Sequence, residues 1–347
     1  MSQPATSLAE AREAEGGRRQ GIVDVDVHPV PSSVDEIRER MPMPFRDRYQ
    51  GERRSFFNNP VHGSRLDAVP PGGGPKGSDP DFLRKQLIDE YGVAYAILIS
   101  RTFCNIHPDP DYAAAIAAAF NEWLVEVWLT ENNHDGAFKG SITIAQQDPA
   151  RAVEEIERWA GHEHIVQVTM DSGARMPFGQ RYYYPIYEAC ERHGLPLPVH
   201  PGTEGMGINQ QPTPGYPTHY IEWHCAMSLA FQAHLISILT EGVFERYPGL
   251  RLVLVEGGRG LARPAAVAAR LLLEGAALGG ALGPQATVRV RRRPRQARDA
   301  AAREARRRRP VPAAARDARR QAHPDVLERL PALGLRLADP RFPASRR

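Results

Sequence analysis

A parallel α/β fold, read as a (β/α)8 barrel with six strands legible, is what the sequence predicts for residues 21–258. Three observations lead there. Short apolar runs at 22–28, 94–100, 139–145, 165–170, 195–200 and 250–255 alternate with helical stretches. The runs are apolar on both faces, as strands are when helices cover both sides of a sheet. Several of them also end in a charged or imidazole side chain: Asp26 and His28, then His200, then Glu256. Strand C-termini are where a barrel gathers its chemistry. A doubly wound sheet fits six strands too, but the first strand runs into Asp and His instead of a glycine-rich turn.

The elements follow in order. Residues 1–20 are polar and charged, without the apolar core of a secretory signal, and predict a flexible leader. Ile22, Val23, Val25 and Val27 build a β-branched strand, and Pro29 follows its end. Residues 50–80 carry Pro60, Pro70, Pro71, Gly72, Gly73, Gly74 and Pro75, which predicts one long loop. Helices are expected at 82–91, at the Ala-rich 112–130 with Trp123 and Trp128, at 148–160, at 184–193 and through most of 221–247.

After Gly258 the chain changes character. Residues 259–347 hold 22 of the 44 basic side chains, all of them Arg, but only 7 of the 41 acidic ones. That stretch is therefore net +15 and the remainder net −12, so the overall +3 averages two unlike pieces. It also has 22 Ala and a single aromatic, Phe342. Three widely spaced Cys (Cys104, Cys190, Cys225) form no CxxC pattern and predict a reducing, cytoplasmic setting. No run approaches the roughly 18 apolar residues of a membrane span.

Asp26 and His28 are two apart on a strand, so their side chains share a face and point into the expected barrel mouth. With His200 they offer a carboxylate and two imidazoles, a set suited to zinc, with manganese as the alternative. His224, at the start of the helix before the sixth strand, is a candidate proton donor, weighed against a packed helix-start histidine. Arg101, just after the second strand, is a candidate partner for a substrate carboxylate, weighed against a solvated loop arginine. Glu256 is a candidate catalytic carboxylate.

These residues sit in phrases that resemble the amidohydrolase-related family, in the branch containing aminocarboxymuconate-semialdehyde decarboxylase. The phrases are VDVDVHP at 23–29, YGVAYAILIS at 91–100, GLPLPVHPGTEG at 194–205 and EGVFERYPGLRLVLVEGG at 241–258. The resemblance implies a distorted (β/α)8 TIM barrel of the metal-dependent hydrolase type, holding one divalent metal and cleaving C–C or C–N bonds of a small substrate. By position it implies Asp26, His28 and His200 as ligands and leaves a homodimeric ancestor open. Two departures stand out: Asp-x-His where many relatives have His-x-His, and Glu256 where many have a catalytic His. The family's fourth ligand, an Asp in a phrase like SSDYPHWDFD, has no counterpart.

That phrase is recoverable in another reading frame. One codon choice permitted for Glu328 to Leu337 is GAG-CGA-CTA-CCC-GCA-CTG-GGA-CTT-CGA-CTG. Shifted by one base they read Ser-Asp-Tyr-Pro-His-Trp-Asp-Phe-Asp. Arg259 to Leu271 can likewise encode VAWLGRQLWRLD. A frameshift after Gly258 is therefore expected, leaving six in-frame strands, a non-native basic tail at 259–347 and an inactive chain. The competing reading makes the tail an Arg-rich segment that binds nucleic acid or an anionic surface. It has no Lys and only Phe342 that could stack on a base, and it ranks second. Hydrolysis and decarboxylation both remain open.

Overall fold

The computed structural model describes residues 21–51, 66–209, 215 and 217–257. The expected leader at 1–20 and basic tail at 259–347 lie outside the described residues, as does much of the predicted 50–80 loop. Six strands form one sheet in sequential order: β1 (Ile22–Val27), β2 (Val93–Leu98), β3 (Phe138–Thr143), β4 (Ile165–Asp171), β5 (Leu197–His200) and β6 (Leu252–Leu254). Every adjacent pair is parallel. The result is the curled wall of a distorted (β/α)8 barrel, with β1 and β6 as its edges among the described residues.

Helices of ten or more residues return the chain between strands: α1 (Pro110–Trp123), α2 (Pro149–Trp159), α3 (Tyr184–His193) and α4 (Tyr220–Thr240). The sequence explains their boundaries. Asp109 and Asp148 cap α1 and α2, each accepting from backbone N–H groups of the first turn, with Pro next in line where a missing N–H costs nothing. Gly194 closes α3 in the left-handed conformation and turns the chain into β5. The single helix expected across 112–130 instead widens to π-type turns over Leu124–Glu131. The expected 221–247 helix breaks at Gly242, where φ is +69°.

The core lies where helices cover the sheet. Trp123, Trp128 and Phe138 pack edge to face and are fully buried. Strand β5 is buried along its whole length. Strand β1 is different: Ile22, Val23 and Val25 are 44–49% exposed. Burial thus falls from the middle of the sheet to its first edge. The site residues hang from the C-terminal ends of these same strands.

Candidate metal centre

Asp26, His28 and His200 converge from the ends of β1 and β5, with ligating atoms all within 4.8 Å of one another. Period-2 alternation brings Asp26 and His28 to one face, and the curl of the sheet brings His200, four strands along at the end of β5, across to them. The Nε2 atoms of His28 and His200 lie 3.2 and 3.0 Å from Asp26 Oδ1. His200 is almost wholly buried, whereas Asp26 and His28 are partly open to solvent.

The second nitrogen of each ring decides what the cluster can hold. His28 Nδ1 is 3.1 Å from the carbonyl of Ile99, and His200 Nδ1 is 2.6 Å from that of Pro201. A carbonyl can only accept, so an Nδ1–H on each ring satisfies both contacts wherever no other donor is aimed at that nitrogen. In that tautomer the Nε2 lone pairs face the Asp26 carboxylate, three electron-rich atoms with no hydrogen between them. A divalent cation resolves that repulsion, and backbone-anchored imidazoles with a carboxylate are ordinary ligands for one. The residues present therefore fit a divalent metal.

The electrostatics agree. Burial works to raise the Asp26 pKa, but contacts with His200 and His28 outweigh it and hold the carboxyl well below its usual range. His200 is lowered to about 4, first by burial and then by the Arg101 guanidinium. Both groups thus keep their electron pairs at neutral pH.

Arg101 reaches in from the end of β2. Its Nη1 contacts His200 Nδ1 and donates to the Pro201 carbonyl at 2.8 Å. His224 lies one turn into α4, half-buried beside Tyr220 and Trp223, and outside the three-residue cluster. Glu256 stands two residues beyond β6, exposed and also outside the cluster, with φ +56°. It shares that left-handed backbone with Thr203 alone among described non-glycine residues.

Two buried carboxyl groups escaped the sequence reading. Asp171 is the last residue of β4, paired in register with His200. The expected strand stopped at Met170, one residue short, so the strand-end argument that selected Asp26 never reached it. Burial pushes Asp171 up to about 6, against the pull of Arg101. Glu204 stood in plain view in the HPGTEG phrase. It is 3% exposed, accepts from the Ser172 hydroxyl and is raised by burial. His234 sits in no motif, yet from α4 its Nε2 donates to the Ser172 carbonyl at 2.7 Å while its ring stacks on Phe178 at 3.8 Å.

Comparison with known proteins agrees with this architecture. Gamma-resorcylate decarboxylase of Rhodococcus jostii (strain RHA1) is 26% identical over 196 residues, 52% of this chain and 56% of that protein. The corresponding enzyme of Polaromonas sp. is 25% identical over 194 residues, again 56% of its length. The chain thus spans about half the length of the curated relatives it matches. Among solved structures, an amidohydrolase of Mycobacterium avium subsp. paratuberculosis K-10 superposes with a TM-score of 0.55 at 19% identity, over 78% of this chain and 80% of that one. A 5-carboxyvanillate decarboxylase of Novosphingobium aromaticivorans DSM 12444, complexed with manganese and 4-hydroxy-3-methoxy-5-nitrobenzoic acid, gives 0.52 at 19% identity, over 77% and 74%. Both share the barrel fold. The family described as amidohydrolase matches residues 23–273, most of the chain, and the chain belongs to that family.

Proposed function

We propose that this chain derives from a metal-dependent carboxy-lyase acting on a small aromatic carboxylate. The observation that carries the reading is the convergence of Asp26, His28 and His200 beside Arg101 at the strand ends. The decarboxylase relatives favour C–C over C–N cleavage. The two imidazoles and one carboxylate would hold a zinc or manganese ion. The chemistry supplied by a bound divalent ion is Lewis acidity toward a substrate oxygen.

The chain's own residues do the rest. Arg101 is assigned the substrate carboxylate, for which a guanidinium makes charge-assisted hydrogen bonds. His224 is assigned the proton that reaches the ring carbon as the C–C bond breaks and carbon dioxide leaves. Glu256 is assigned to the substrate side of the mouth, supported by its left-handed backbone next to β6. In an in-frame chain, His224→Asn should lower kcat by about 100-fold or more with metal content unchanged. An unchanged kcat would remove His224 from the mechanism.

The present chain is a separate matter. The codon reading supports a frameshift after Gly258, which removes the family's SSDYPHWDFD phrase. We propose that this form turns over no substrate. Resequencing the DNA across Glu256 to Gly260 tests the shift, and the restored frame should bind one divalent ion per chain. Metal-dependent turnover by a protein of confirmed 38.5 kDa mass and this sequence would overturn the proposal of inactivity.

A further inference from the structure

We propose that Arg101 and the metal ion are alternative partners of His200, so that the guanidinium must leave the imidazole before the ion can bind. The inference rests on the metal reading of Asp26, His28 and His200, and it follows from counting hydrogens.

The Arg101 Nη1 carries two hydrogens. One meets the Pro201 carbonyl at 2.8 Å and the other is directed at His200 Nδ1. A nitrogen that accepts from a guanidinium carries no hydrogen, so the neutral ring must be protonated at Nε2. That Nε2–H then donates to Asp26 Oδ1 at 3.0 Å. The guanidinium bridges His200 Nδ1 and the Pro201 carbonyl, two acceptors 2.6 Å apart, and the Nε2 lone pair a metal would need does not exist. In the second arrangement the guanidinium has withdrawn. Nδ1–H now donates to the Pro201 carbonyl, 2.6 Å away, and Nε2 turns its lone pair on the cluster. The first arrangement needs the guanidinium and the second needs its departure, so they exclude one another.

The route out is also built. The position a Gly202 Cβ would take lies 2.7 Å from Arg101 Nη2 and 3.4 Å from Asp171 Oδ1. Any side chain at 202 would stand between the guanidinium and that carboxylate. Gly202 leaves a lane along which Arg101 can slide from His200 toward Asp171, and Asp171 and Glu204 both attract it. Metal uptake therefore releases Arg101 to meet the substrate carboxylate, which makes the order metal first, substrate second.

Two readouts on the full chain test this without turnover. In metal-free protein labelled with 15N-histidine, long-range proton–nitrogen spectra should show His200 protonated at Nε2, its signals assigned with His200→Ala. In Arg101→Met the proton should move to Nδ1. Titration with Mn2+ or Zn2+ alone should show Arg101→Met binding about tenfold tighter than wild type, since one charge-assisted hydrogen bond no longer competes. An Nδ1–H tautomer in the metal-free wild type overturns the proposal, and so does equal or weaker metal binding by Arg101→Met. If Arg101→Met fails to fold by near-UV circular dichroism, the wild-type tautomer decides alone. Asp26→Asn is the separate control: metal uptake that survives it refutes the metal centre, while the nitrogen signals still judge the Arg101 contact.

Discussion

His234 shows how one buried side chain ties the site to the pH response of the fold. Its Nε2–H donates to the Ser172 carbonyl and its Nδ1 accepts from the Phe178 N–H at 3.3 Å. One neutral tautomer satisfies both, and a second ring proton would face a donor. Burial holds its pKa down to about 4 from 6.5. The unfolded chain therefore binds a proton that the fold refuses, and stability is lost as pH falls from 6.5 toward 4. His200, also lowered to about 4, adds to the same window. Asp171 runs the other way: its raised pKa favours the protonated fold, so its contribution declines as pH rises from 3.8 to about 6. The ceiling for His234 alone is about 3 kcal/mol. In His234→Phe, urea midpoints should fall at pH 7 through two lost hydrogen bonds, and the acid-side slope should shrink by about half. An unchanged slope would show that the proton enters elsewhere.

At the level of elements, much of the fold was legible because local chemistry and global position agree. The strand expected at 94–100 is β2 at Val93–Leu98, and the helix expected at 184–193 is α3 at Tyr184–His193. Asp148-Pro149 marks the start of α2 without help from packing, since the carboxylate accepts from the Ala150 and Arg151 N–H groups. Asp148→Ala should cost about 1 kcal/mol, the ordinary value of a lost N-cap, read as a shift in the urea midpoint at constant slope. Asp109→Ala should cost more, because Asp109 also pairs with Arg48 at 2.9 Å. Breaks inside helices were not legible. Nothing local in Leu124–Glu131 announces a π-type turn. The approach of Leu124 and Leu129 to Gly140 is a tertiary demand, and a Cβ on Gly140 would lie 2.6 Å from Leu129. The site divides along the same line. Asp26, His28 and His200 could be expected on one face because strand ends are visible in sequence, and the fold brings them within 4.8 Å of one another. Asp171 was lost to a boundary error of one residue. His234 was unreadable because its partners, Ser172 and Phe178, lie about 60 positions away and meet it only through the fold.

Across the whole molecule, the uneven burial of the sheet has a physical consequence. In a closed barrel every strand has two neighbours and a helical cover, and no row of N–H and C=O groups is left unpaired. Among the described residues β1 pairs with β2 alone, and Val23 and Val25 face out from it at 47% and 44% exposure. On the opposite face of the strand Asp24 and Asp26 alternate with them, so charge guards only the inner side. An exposed, β-branched edge is a template for pairing with another chain, and lysine is the usual natural remedy. Val23→Lys with Val25→Lys should therefore slow aggregation several-fold, followed by light scattering at constant protein concentration. The pair leaves the inward residues untouched, so the Asp26–His28–His200 cluster should keep its metal affinity. If the double variant aggregates as fast as wild type, the β1 edge is not the adhesive surface. The other edge, β6, with Val253 at 38% exposure, would then be the next to charge.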